Sequence, residues 1–80
     1  MTSGYVQMIV ARRKSGEVEA AGWDCDSTRV DARDWLGRGL QLEIVTASQV
    51  SAIKSKNHVF STTAAIGKVL SQAQAELMLS

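Results

Sequence analysis

The stretch Tyr5-Val6-Gln7-Met8-Ile9-Val10-Ala11-Arg12-Arg13-Lys14-Ser15-Gly16-Glu17-Val18-Glu19-Ala20-Ala21-Gly22-Trp23-Asp24-Cys25 decides the fold. Tyr5 to Arg13 is rich in strand-forming residues, Lys14-Ser15-Gly16-Glu17 supplies a turn, and Glu17 to Asp24 follows as a second strand. A two-residue loop at Ser15-Gly16 sets Lys14 opposite Glu17 and Arg12 opposite Glu19. On the same face Val10 meets Ala21, Met8 meets Trp23 and Val6 meets Cys25. Each such cross-strand pair contributes roughly 0.2–1 kcal/mol. A one-residue slip scrambles all of them, so the pattern predicts an N-terminal β-hairpin in this register. The opposite face carries Ile9, Ala11, Val18 and Ala20, with Gln7 and Arg13. It is half apolar, so a helix or a second molecule must cover it. Ile9, Ala11, Val18 and Ala20 are therefore candidates for a dimer surface.

Downstream of the hairpin, Asp31 reads as a helix N-cap. Val30 and Trp35 form its hydrophobic staple, and Asp34 sits at the third helical position. Gly39 stands where a left-handed C′ residue belongs, with Leu40 folding back on Trp35. The helix is expected over Ala32 to Arg38. Leu40 to Thr46 alternates Leu40, Leu42 and Ile44 against Gln41 and Glu43, a strand with one buried face. Thr46-Ala47-Ser48-Gln49 is a capping-box pattern stapled by Val45 and Val50, which predicts a helix over 47–56; the rival is a strand from Gln49 to Lys54. His58-Val59-Phe60 reads as a short strand. Ser61 or Thr62 caps a last helix running to about Met78, with Ile66, Val69, Leu70, Ala73 and Leu77 as its apolar stripe. Gly67 inside that helix costs roughly 1 kcal/mol against Ala, which points to close approach of another backbone and adds Gly67 to the dimer candidates. The element order is β-β-α-β-α-β-α, or β-β-α-β-β-α without the middle helix. Either describes an α+β domain over residues 1–80, with a small antiparallel or mixed sheet and a C-terminal amphipathic helix packed on it.

The chain has 80 residues, a net charge of +1, 45% apolar and 21% charged residues, so wholesale disorder is not expected. A core of this size leaves only about 3–5 kcal/mol of margin. One cysteine, Cys25, excludes an internal disulfide, and one histidine, His58, disfavours a zinc cage. A partner chain is the remaining source of stability, so a homodimer or a tight complex is expected. No run is long enough to span a bilayer, and Met1-Thr2-Ser3-Gly4 has no basic or apolar leader character. With the lone thiol, this reads as a cytoplasmic protein with no membrane association.

Asp24-Cys25-Asp26-Ser27-Thr28 has the form Asp-x-Asp-x-Thr at a strand end and resembles the first motif of haloacid-dehalogenase-type phosphatases. The resemblance spans five residues and implies a nucleophilic Asp24 and a general acid and base at Asp26. Phosphoryl transfer also needs a later acidic pair and a Lys clamp on a parallel sheet. After Asp34 the only acidic residues are Glu43 and Glu76, so the motif reads as a polar loop. Cys25 and His58 as nucleophile and base lack an orienting third group. Gly67-Lys68 lacks the upstream glycine of a phosphate-binding loop. No catalytic, cofactor or metal site is expected.

Arg12-Arg13-Lys14 is the sharpest basic cluster, and Lys54 and Lys56 form a second basic run near His58. Together Arg12, Arg13, Lys14, Lys54 and Lys56 could meet nucleic-acid phosphates, although the pI of 7.9 is below that of a dedicated binder. Trp23, beside Asp24, Asp26 and Asp34, could anchor a basic partner surface. In a domain this small, however, Trp23 and Trp35 read first as core residues. The reading favoured is a non-enzymatic protein-binding domain. Its expected site is Arg12, Arg13, Lys14, Trp23, Asp24, Asp26 and Asp34. It would be an accessory or inhibitor of the kind that bacteria and phages make, anti-defence proteins included, acting on a larger host protein or nucleoprotein complex. Nucleic-acid binding is the alternative.

Overall fold

A computed structural model describes residues 6–52 and 62–80. Strands β1 (Gln7–Arg12) and β2 (Val18–Trp23) form the expected antiparallel hairpin. Met8 lies opposite Trp23, Val10 opposite Ala21 and Ala11 opposite Ala20, which is the register read from the sequence. The register then shifts between Ala11 and Arg12, and Arg12 faces Val18. The expected Arg12–Glu19 and Lys14–Glu17 cross-strand pairs are therefore not formed. The cause is the turn. Arg13 N–H donates to Glu17 O, Gly16 N–H donates to Arg13 O, and Gly16 has φ 94°. The loop is thus three residues, which needs one left-handed position. A two-residue type I′ loop needs two, and Ser15 is a poor fit for one of them.

Strand β3 (Gln41–Thr46) pairs antiparallel with β1, and the two-residue β4 (Lys68–Val69) pairs with β3, giving the order β2-β1-β3-β4. With helices α1 (Asp26–Gly37), α2 (Ala47–Ala52) and α3 (Gln72–Leu79), this is an α+β fold. Both faces of the sheet are apolar. One face presents Ile9, Ala11 and Leu42 to Ala32 and Trp35 of α1 and Ala75 and Leu79 of α3. The other gathers Met8, Val10, Val45 and Val50, with Val18, Trp23 and Ile66 packed against them.

This arrangement corrects the expected dimer surface. Ile9 and Ala11 are completely buried under the chain's own helices, and Ala20 packs on the same cluster. The bulge turns Val18 to the opposite face, against Met8 and Val10. A Cβ at Gly67 would sit 2.0 Å from Ile44 O, so the backbone that approaches it is β3 of the same chain.

Helix α1 begins at Asp26, well before the expected Ala32, with Cys25 as N-cap and no side-chain cap. Its first turn is polar, so apolar periodicity gave no sign of it. The end is as read: Gly39 has φ 86°, Leu40 N–H donates to Trp35 O and Gly39 N–H to Leu36 O, a Schellman closure. Helix α2 is closed by the expected capping box, in which Gln49 N–H donates to Thr46 Oγ1 and Thr46 N–H to Gln49 Oε1. Residues 49–52 are helical, which overturns the rival strand from Gln49 to Lys54 over that stretch. Residues 53–56 of the expected helix and the His58-Val59-Phe60 strand lie outside the described residues, as do Lys54 and Lys56.

The last helix is shorter than expected. Ser71 caps it in a complete capping box with Gln74, and it starts at Gln72. Residues 68–69 pair with β3 instead, and Leu70 N–H donates to Leu42 O. The sheet edge and a stronger local cap therefore displace the helical stripe. Leu77, one of its members, is 78% exposed, whereas Ala75 and Leu79 are buried.

Candidate functional site

Arg12 was expected at the surface and lies in the interior. Its side chain is 6% exposed and Glu43 is 1% exposed, with Arg12 Nε 2.6 Å from Glu43 Oε1. Arg12 Nη1 donates to Gly16 O at 2.8 Å and to Thr62 O at 2.7 Å. Glu43 Oε2 accepts from the N–H groups of Ile66 and Gly67. The pair thus fastens the hairpin turn and residues 62–67 onto the face of Met8, Val10 and Val45. Arg12 Nη2 is buried with no hydrogen-bond partner among the described residues. Alternation places Arg12 and Glu43 on an apolar face, so each charge must be paired there. The sequence shows both residues but not that they meet.

Arg13 and Lys14 stay exposed at the turn. Glu19 accepts from Arg13 Nε at 2.9 Å and from Arg38 Nη1 at 2.7 Å, and Arg38 also pairs with Asp34 across one helical turn. The hydrogen bond from Glu19 raises Arg13 above its ordinary value, and the bond from Arg13 holds Glu19 below the usual carboxylate value. Arg13 and Arg38 are thereby balanced by Glu19 and Asp34. Lys14 makes no ion pair among the described residues.

Trp23, Asp24 and Asp26 fall at the other end of β2, about 20 Å away at roughly 3.3 Å per residue. Trp23 is half-buried against the second core cluster, and Asp26 is exposed in the first turn of α1. Asp24 accepts from Arg29 Nε at 2.6 Å and from Gln7 Nε2 at 3.0 Å. The Arg29 hydrogen bond keeps its carboxyl below the ordinary value. Arg29 also donates to Met78 O, and Arg33 to Leu79 O, so both tie α1 to the end of α3. Cys25 Sγ lies 3.3 Å from Ser27 Oγ and 3.4 Å from Thr28 Oγ1, and these hydroxyls lower its pKa. No group of three His, Cys, Asp or Glu residues is placed to hold a metal among the described residues. The expected surface is thus divided: Arg13, Lys14 and Asp34 lie at the hairpin-turn end, Trp23, Asp24 and Asp26 at the far end, and Arg12 inside.

An open cleft of about 320 Å³ lies at the hairpin-turn end. Leu36, Leu40 and Leu70 form its apolar part, and Lys14, Gln41 and Gln72 its polar rim; Arg12 also lines it. The end of α1, the start of β3 and the start of α3 converge to make it. No acidic residue lines it among the described residues. Of these residues the sequence offered only Lys14 and Arg12 as binding candidates, with Leu40 and Leu70 read as packing residues. Leu36 and Gln72 gave no separate signal, because the cleft exists only once the Schellman turn brings Leu40 under Trp35 and Ser71 starts α3 beside it. No protein-family model, curated protein or solved structure matches this chain. No helix among the described residues is long and apolar enough to cross a membrane.

Proposed function

We propose that this protein is a non-enzymatic protein-binding domain, an accessory or inhibitor that acts in the cytoplasm by docking its hairpin-turn end on a larger protein. The cleft between α1, β3 and α3 carries this reading. It pairs an apolar floor with a cationic, amide-rich rim, the composition of a site that receives an anchoring side chain. The helices already close one sheet face, so a partner is better served by this end than by the expected dimer surface.

Affinity capture with four baits tests the reading: the wild type, Lys14→Glu, Gln41→Tyr and Asp26→Ala. Gln41 is exposed on the rim, so the tyrosine blocks the cleft without touching the core. One protein recovered with the wild type and Asp26→Ala, and lost with the two cleft variants, is the expected result. Recovery of the same proteins by all four baits, or of bait alone, refutes it.

A further inference from the structure

Resting on the protein-binding reading of the cleft, we infer that its occupant is a partner segment in which an aliphatic side chain adjoins an Asp or Glu side chain. The volume of about 320 Å³ is near the lower bound of ligand pockets, room for an anchoring side chain and its immediate neighbour but not for a large ligand. Leu36, Leu40 and Leu70 offer that side chain an apolar seat. The charge is one-sided. Arg12 and Lys14 line the cleft and, among the described residues, no acid does. Glu43 balances Arg12, but Lys14 has no ion partner among the described residues. Nearby Arg13 and Arg38 are already claimed by Glu19. A carboxylate entering beside the aliphatic anchor therefore meets one uncommitted cation. The first turn of α3 also borders the cleft, through Ser71 and Gln72. Ser71 and Gln74 satisfy each other, leaving the N–H groups of Gln72 and Ala73 in the first turn of α3 without intrahelical acceptors. A neutral apolar segment would leave all of these unused, and a phosphate-rich strand would leave the leucine floor unused.

The test is a titration of the full isotope-labelled chain with capped tetrapeptides, followed by amide NMR shifts. The probes carry leucine-glutamate, leucine-glutamine and alanine-glutamate at their centres; a fourth ends in leucine with a free carboxylate. The leucine-glutamate peptide should give saturable shifts at Lys14, Gly39, Gln41 and Gln72, with Kd in the millimolar range. The glutamine probe should bind about two- to fivefold more weakly, the worth of one exposed charge pair. The alanine probe should not saturate. Lys14→Gln should erase the difference between glutamate and glutamine while leaving the spectrum otherwise folded. Equal binding of the two, absence of shifts at these amides, tighter binding of the free-carboxylate probe, or larger shifts at the same amides from a short oligonucleotide each overturns the inference. Such a failure, with a captured partner still lost in Gln41→Tyr, leaves the protein-binding reading standing; loss of both removes it.

Discussion

Glu43→Gln and Arg12→Met, singly and together, probe the buried pair that fastens this fold. Glu43 is 1% exposed and accepts from Arg12 Nε and from two backbone N–H groups, so its replacement by Gln leaves the Arg12 charge buried without a counter-ion. Breaking a buried pair in this way costs about 3–5 kcal/mol. A domain of this length holds about 4–5 kcal/mol in all, the low end of roughly 0.05–0.15 kcal/mol per residue and the margin expected of so small a core. Either single variant should thus lower Tm by about 12 °C or more, at about 4–8 °C per kcal/mol. Arg12→Met with Glu43→Gln removes both charges and keeps an amide oxygen for the Ile66 and Gly67 N–H groups. Its cost should fall short of the sum of the singles by about 2 kcal/mol or more. Urea unfolding followed by the fluorescence of Trp35, which is buried, measures all three. Single costs below about 1 kcal/mol, or additivity within about 0.5 kcal/mol, would show that the pair does not hold residues 62–67 in place.

Other variants test single elements. Gly67→Ala should be far more damaging than Gly39→Ala. The first drives a Cβ to 2.0 Å from Ile44 O, and the second meets open space and costs about 1 kcal/mol for its positive φ; equal midpoints in urea would refute the close approach. Ser71→Ala should cost about 1 kcal/mol through loss of the cap on α3, whereas Thr62→Ala, at the start expected from sequence, should have no helix to uncap; circular dichroism and urea midpoints distinguish them. The folded-state pKa of Asp24 is lowered, so its pairing with Arg29 stabilises the fold above about pH 4 and is lost as pH falls through the lowered value. The stability gap between wild type and Asp24→Asn should accordingly close in acid, and a gap constant from pH 6 to pH 2.5 refutes the pairing. Thr28→Ala should shift the pH midpoint of Cys25 alkylation upward, since the Thr28 hydroxyl helps lower that pKa; an unchanged profile counts against the contact.

The sequence by itself determined the α+β class, the hairpin register from Met8 to Ala11, the Schellman end of α1 and the cap of α2, because each is set by residues close in the chain. It also showed that the face of Ile9 and Ala11 must be covered. Only the tertiary structure decided by what: α1 and α3 fold over it, which ruled out the expected dimer surface there. The start of α1 was hidden in a polar turn, where apolar periodicity has nothing to report. In the last third, a helical stripe was legible from Ile66 to Leu77, yet pairing of 68–69 with β3 and the Ser71 cap outweighed it. Local patterns cannot weigh a sheet edge brought from elsewhere in the chain. The joining of Arg12 to Glu43 and the meeting of Leu36, Leu40 and Leu70 beside Lys14 depend on contacts 30 or so residues apart, at which scale strand pairing, not composition, chooses the neighbours.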